Sequence, residues 1–396
     1  MSRVALTAER VFDGERLLED CAVVIDGARI VEVMIRSALD RSMPLRDLGA
    51  SILSPGFNDL QVNGGGGVLL NATPTVDAVR TIAAAHRVYG VTGLLPTVIT
   101  DRPAVMAAAA AAVSDAIRQN VPGVLGIHIE GPFIDPARKG AHDARFIRKP
   151  TQADVDWLTG LSCGKVIVTL APNCVAAKII RDLCDADVIV SLGHSDATAA
   201  QALAALEAGA TGFTHLFNAM SQMTGRSPGM VGAALASGHA CCGIIADGHH
   251  VDPVTLRAAI SAFAGKPQAF LYFVSDAMPC AAGGPDRFAL QGRPVAVVNG
   301  RLQLADGTLA GANMTMRDAV RFGIEHLDLS IEQALAMASL RPAQVLGHGH
   351  TLGRIKPGYR ANLVHLADDL EVLETWIDGK SSADTSPGPA GSANPA

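Results

Sequence analysis

The 396-residue sequence lacks the features that mark several large protein classes. Its seven cysteines (Cys21, Cys163, Cys174, Cys184, Cys241, Cys242 and Cys280) are odd in number and scattered, with no CxxC pair. Neither a zinc ribbon nor a disulfide framework follows, and reduced thiols in a cytoplasmic protein are the expectation. Basic charge is not in excess: the formal net charge is −6 and the pI is near 6.0. Nucleic-acid binding needs clustered cationic charge and is not expected. A negatively charged substrate would therefore have to find a local basic group. The opening MSRVALTAERVFDG has no basic stretch followed by an apolar run, so no signal peptide is expected. The most apolar-looking helix, around VMAAAAAAVSDAI, is Ala-rich, short and interrupted by polar residues, which excludes a membrane span.

What is present is core-forming material. Hydrophobic residues make up 49% and charged residues 18%, which excludes a disordered chain. The length suits one large domain and a smaller one. VALTAERVF, CAVVID and ARIVEVM read as short strands, with Asp13-Gly14 and Asp26-Gly27 as hairpin turns. The same texture returns in YRANLVHLADDLEVLETWIDGK. We therefore expect a small β-sandwich built from both chain ends, residues 1–54 and 349–381, bracketing a larger domain at 55–348. The Ser/Pro/Gly/Ala-rich stretch 382–396 is expected to be a disordered tail.

Within 55–348, eight short apolar runs alternate with amphipathic helical patterns. The runs are 57–63, 93–99, 124–130, 166–172, 188–194, 212–218, 242–248 and 269–277. Near-continuous apolar strands separated by helices imply a parallel sheet covered on both faces. Eight units favour a closed (β/α)8 barrel, for which ~250 residues is typical. An open doubly wound sheet is the second choice. It is weakened because Gly64–Gly67, after the first strand, has the wrong spacing for a GxGxxG dinucleotide loop.

Chemistry in such a barrel collects at the C-terminal ends of the strands. Those ends carry Gln61 and Asn63, Glu130, His194, His215, the Asp247/His249/His250 group and Asp276. Glu130, His194 and His215 are suitable ligands for a divalent ion with one position left open. Singly, each histidine could be a hydrogen-bonding cap, but three such groups at equivalent positions favour a metal. Asp276 at the end of an apolar strand is either a structural cap or a general base, and its place across the mouth favours the base.

The ordered strings PGFNDLQVNGGGG, GIHIEGPF, KGAHD, SLGHSDA, THLFNAM, IADGHH, SDAMP and LAGANMTM resemble the N-acetylglucosamine-6-phosphate deacetylases of the amidohydrolase superfamily. The resemblance spans nearly the whole chain except the tail. It implies that Glu130, His194 and His215 hold the metal and that Asp276 takes a proton from water and delivers it to the leaving amine. It implies too that His142 polarises the acetyl carbonyl, that Asn218, Ala219 and His250 contact substrate, and that Arg226 grips the phosphate. In this family that arginine can come from the neighbouring subunit, so a homodimer is the expected assembly. One divalent ion per chain is expected, zinc first, with iron, cobalt or manganese as alternatives. A single ion is expected because Gln61-Val62-Asn63 stands where many amidohydrolases carry His-x-His. The fourth strand also ends LAPN without a lysine, Lys165 lying at its other end.

The implied activity is deacetylation of N-acetylglucosamine 6-phosphate, in amino-sugar catabolism or cell-wall recycling. Alternatives are the galactosamine isomer, another amidohydrolase substrate, or a catalytically inactive barrel that only binds. Asp247 is left open between a contact to His250 and a turn cap. His128, His239, His249, His348 and His350 are expected to be structural or exposed.

Overall fold

The computed structural model describes residues 3–385. All eight apolar runs form strands of one parallel sheet, hydrogen-bonded in chain order. These are β1 (Phe57–Val62), β2 (Val91–Ile99), β3 (Gly126–Glu130) and β4 (Lys165–Leu170). They continue as β5 (Ile189–Leu192), β6 (Gly212–Phe213), β7 (Cys241–Ile244) and β8 (Phe270–Phe273). The ring closes between β8 and β1 just beyond the last strand. There the Asn63 and Gly64 amides both donate to the Ala277 carbonyl at 2.9 Å. Every residue of β1, β2 and β3 is buried, as expected when one face meets the barrel interior and the other meets helices.

Helices connect the strands from outside. The Ala-rich run becomes the helix Pro103–Arg118, started by a proline in its first turn and burying Met106, Ala109, Ala110, Val113 and Ala116. It is a barrel helix. Among the described residues no helix is long and apolar enough to cross a membrane. All seven cysteines are free thiols, Cys163, Cys242 and Cys280 buried and the other four partly so.

The chain ends build two sheets. One has four strands, in the order Arg29–Ile35, Cys21–Asp26, Val4–Thr7, Leu45–Asp47. The other has six and joins Ile52–Pro55 to Leu363–Leu366, so that the two ends of the sequence pair directly. Leu6, Val23 and Ile25 from the first share a core with Val11, Leu53, Leu363 and Trp376 from the second. The hairpin expected at Asp26-Gly27 turns one residue later. Asp26 still pairs with Arg29, and Gly27-Ala28 forms the loop, with Gly27 at φ 54°. The Asp13 turn is a four-residue loop in which the Asp13 carboxylate accepts from the amides of Glu15 and Arg16. Of the expected tail, Ala383–Thr385 form a short 3-10 turn, and 386–396 lie outside the described residues.

A third small sheet follows β8 and was not foreseen: Arg287–Leu290, Arg293–Val298 and Arg301–Leu304, antiparallel. Its two turns, Gln291-Gly292 and Asn299-Gly300, have positive φ at both positions, the two-residue hairpin geometry that matches strand twist. Leu290, Val295 and Leu302 pack it on Leu69, Ile99 and Met278 beside the barrel mouth.

Candidate active site

Four chemically distinctive side chains of the mouth sit where a strand stops. Glu130 is the last residue of β3, while His194, His215 and Asp276 lie two or three residues beyond β5, β6 and β8. These last three leave the strand in the left-handed region, with φ of 46°, 33° and 48°. For residues with a Cβ such backbone costs on the order of 1–3 kcal/mol and persists only where surrounding structure enforces it. Here it turns each side chain inward, over the barrel axis.

The result is a compact cluster. Glu130 Oε1 lies 3.0 Å from His194 Nε2 and 3.0 Å from His215 Nε2, and the two imidazole nitrogens are 3.1 Å apart. The other ring nitrogen of His194, Nδ1, donates to the Arg138 carbonyl at 2.9 Å. A carbonyl can only accept, so the single proton of a neutral His194 is on Nδ1 and Nε2 turns a lone pair toward the carboxylate. Acceptors at that distance repel unless a cation lies among them. Burial would raise the Glu130 carboxyl, yet the two imidazoles of His194 and His215 set against it hold it well below the usual range, so it is ionised. One anionic oxygen and two imidazole nitrogens, all within 4.8 Å of one another, fit a divalent ion with room for a further ligand.

Asp276 stands beside the cluster. Its Oδ1 accepts from Asn63 Nδ2 at 2.7 Å and from Gln61 Nε2 at 3.1 Å, and Gln61 Nε2 also reaches Glu130 Oε1 at 3.2 Å. The two amides at the end of β1 thus act as donors that hold two carboxylates side by side. Burial, and then the charge of Glu130, push the Asp276 carboxyl up to about 6. An acid tuned to that range can both take and return a proton near neutrality.

Asn63, Glu130, His194, His215 and Asp276 line one cavity of about 410 Å³ together with His142, Asn218, Ala219 and His250. His142 enters from the loop after β3, its Nδ1 2.8 Å from Thr100 Oγ1, and its ring packs 4.4 Å from that of His194. Burial first, and then His194, hold it down to about 3, so it is neutral. Asn218 and Ala219 form the turn after His215, where the Asn218 amide donates to the His215 carbonyl and Ala219 has φ 48°. Asp247 fulfils both roles left open for it. Its Oδ1 accepts from the amides of His249 and His250, and its Oδ2 from His250 Nδ1 at 2.7 Å. Arg226 does not line this cavity and lies in the exposed loop 222–228.

Further wall residues escaped sequence reasoning. Thr308, Leu309 and Gly311, at the exit of the third sheet, close one side, and part of that segment lies within LAGANMTM. His128 is buried beneath the cluster. It donates from Nδ1 to the Leu60 carbonyl and accepts at Nε2 from Thr169 Oγ1, which in turn meets Thr214. That makes it a structural histidine of the barrel interior.

An eight-stranded parallel ring with buried Glu, His and His at strand ends defines a barrel hydrolase of the metal-binding kind. Residues 52–381 match the Amidohydrolase family, and residues 4–53 match the NagA composite domain. The chain is 41% identical over 377 residues, 94% of each sequence, to the N-acetylgalactosamine-6-phosphate deacetylase of Shewanella sp. (strain ANA-3). It is 34% identical to the N-acetylglucosamine-6-phosphate deacetylase of Haemophilus influenzae, over 92% of this chain and 95% of that one. The crystal structure of N-acetylglucosamine-6-phosphate deacetylase from Pasteurella multocida superposes with a TM-score of 0.92 at 33% identity, covering 96% of this chain and 99% of that one. The chain belongs to the amidohydrolase family.

Proposed function

We propose that this chain hydrolyses N-acetyl-D-glucosamine 6-phosphate to D-glucosamine 6-phosphate and acetate, the substrate named for the Haemophilus influenzae and Pasteurella multocida relatives. The observation that carries the reading is the convergence of Glu130, His194, His215, Asp276 and His142 on one cavity. Glu130, His194 and His215 hold one divalent ion, zinc first, with iron, cobalt or manganese as availability decides. A single ion suits the site because Gln61 and Asn63 present amide donors where a second ion would need ligands. Such an ion supplies Lewis acidity, lowering the pKa of water to about 7 and polarising a carbonyl.

The protein's own groups do the rest. Asp276 takes a proton from the attacking water and returns it to the sugar nitrogen as the C–N bond breaks. His142 donates a hydrogen bond to the acetyl oxygen as negative charge grows there. Asn218, Ala219 and His250 position the sugar. Arg226, supplied across a homodimer, pairs with the 6-phosphate, which explains its exposure in a single chain. In this reading the catalytic barrel is 55–348, the small β-domain is 1–54 with 349–381, and the enzyme works in the cytoplasm, in amino-sugar catabolism or cell-wall recycling.

A second reading, N-acetylgalactosamine 6-phosphate as substrate, is favoured by the name of the 41% identical Shewanella relative. Acetate release from both phosphorylated isomers and from unphosphorylated N-acetylglucosamine decides between them. Preference for the glucosamine phosphate supports the first reading, and preference for its isomer the second. No release from any of them by metal-loaded protein would refute both.

A further inference from the structure

A neutral imidazole carries one proton, and only the Nε2–H form of His142 can donate into the cavity. His142 Nε2 has no hydrogen-bond partner among the described residues, and its Nδ1 meets Thr100 Oγ1 at 2.8 Å. The direction of that bond decides which form exists. Thr100 has one hydroxyl proton and two acceptors within reach, His142 Nδ1 at 2.8 Å and the Glu130 carbonyl at 3.4 Å. Hydroxyl hydrogen bonds are optimal at about 2.7–2.8 Å and weak at the longer distance. A ring N–H donating to a hydroxyl usually lies at about 2.9–3.0 Å and would leave the hydroxyl only the long contact to Glu130. The 2.8 Å separation therefore fits the hydroxyl donating to Nδ1, with the imidazole proton on Nε2.

Thr100 is also held unusually firmly. On one side Asn71 exchanges two hydrogen bonds with the Ile99 backbone, both 3.0 Å, and donates to Asp101 Oδ2. On the other, Gln291 from the unforeseen sheet donates to the Thr100 carbonyl at 2.7 Å and to Asp101 Oδ2 at 3.0 Å. The same sheet grips the neighbouring loop, since Arg293 Nη2 donates to the Ala141 carbonyl at 2.5 Å. Any side chain on Gly131 would strike the Thr100 hydroxyl, and with φ 84° that position favours glycine anyway.

From this geometry we infer that Thr100 is a positioning residue that selects the Nε2–H tautomer of His142, with Asn71 and Gln291 clamping it in place. The inference rests on the carbonyl-polarising role proposed above for His142. Partners that fix the tautomer of metal-ligating histidines change activity about 10–100-fold when removed, and an effect of the same order is expected for this ring.

The test uses zinc-loaded, ¹⁵N-histidine-labelled enzyme, with the His142 signals assigned by their loss in His142→Asn. Native protein should show Nε2 protonated and Nδ1 bare, and the opposite pattern overturns the inference without any Thr100 variant. Thr100→Val should lower kcat about 10–100-fold with metal content retained and KM nearly unchanged. Thr100→Ser, which keeps the hydroxyl, should restore most of that loss. Wild-type kcat in Thr100→Val also overturns the inference. Should the valine variant fail to fold or to hold metal, the native nitrogen shifts still decide. Full activity in His142→Asn would instead remove the proposed role of His142, while the native shifts still report what Thr100 does to the ring.

Discussion

The two ends of the barrel are made from the same eight strands and follow opposite rules. At the C-terminal end His194, His215 and Asp276 occupy left-handed backbone, and the buried Glu130 carboxylate stands 3.0 Å from two imidazole nitrogens. At the N-terminal end the strands begin with residues such as Phe57, Val91 and Phe270, and Lys165, which starts β4, reaches outward to Asp187. Strain and buried charge oppose folding, so they persist only where something other than stability keeps them. The contrast places function at one end and stability at the other.

The sharpest way to break that contrast is at Asp276. Asp276→Asn should cut kcat by about 10²–10⁴-fold, the range for loss of a general base. The melting temperature of the metal-free variant should not fall, because a carboxyl that burial and Glu130 push up to about 6 is itself unfavourable when ionised. Acetate release and thermal melts on the same preparations check both halves. An active variant would remove Asp276 from the chemistry.

Metal removal comes next. Chelation should abolish activity reversibly and lower stability by about 2.7 kcal/mol relative to protein in metal at 100 times its Kd. Glu130→Gln should match the chelated wild type and no longer respond to chelator, as read by metal analysis and melting. Two equivalents of metal in active wild-type protein would overturn the single-ion site.

What the sequence disclosed follows the same divide. The barrel strands are legible because a strand buried on both faces must be a continuous apolar run. The ligands are legible because Glu and His are rare at the ends of such runs. Thr100, Asn71 and Gln291 are ordinary polar residues whose roles exist only once β2, the loop after β1 and the third sheet meet. Arg138 serves the site through its backbone carbonyl, which any residue would carry, so no side chain announces it. The third sheet did leave a signal: Gln291-Gly292 and Asn299-Gly300 flank the apolar-rich segment PVAVV. Sequence reading that ends at the eighth strand passes over it.

Asp59 lies between the two ends, on the inward face of β1 two residues before Gln61. Its Oδ1 accepts from the amides of Ser275 and Gln61, while its Oδ2 is buried without a partner. Burial pushes it up to about 7. The folded state then binds this proton more tightly than the unfolded chain, so its contribution is complete below the ordinary carboxyl value of about 4. It is lost as pH rises to about 7, a change of roughly 4 kcal/mol. Asp59→Asn should remove that slope, and urea titrations of both proteins across the window measure the difference. Parallel profiles would mean that Asp59 ionises as freely folded as unfolded.

The smallest effect is expected at Lys165, and it bears on the whole comparison. Many amidohydrolases use a lysine on the fourth strand at the mouth, whereas here the lysine starts that strand and pairs with Asp187 at 2.8 Å. Asp187 is 83% exposed, so the pair is largely screened by water and contributes about 0–1 kcal/mol, less at high salt. Lys165→Met should leave kcat and metal content unchanged and lower stability by no more than that. A variant that lost metal or activity would show the far end of the barrel reaching the site, and the division of labour between the two ends would fail. An unaffected variant confines the proposed ion site to the C-terminal end of the barrel.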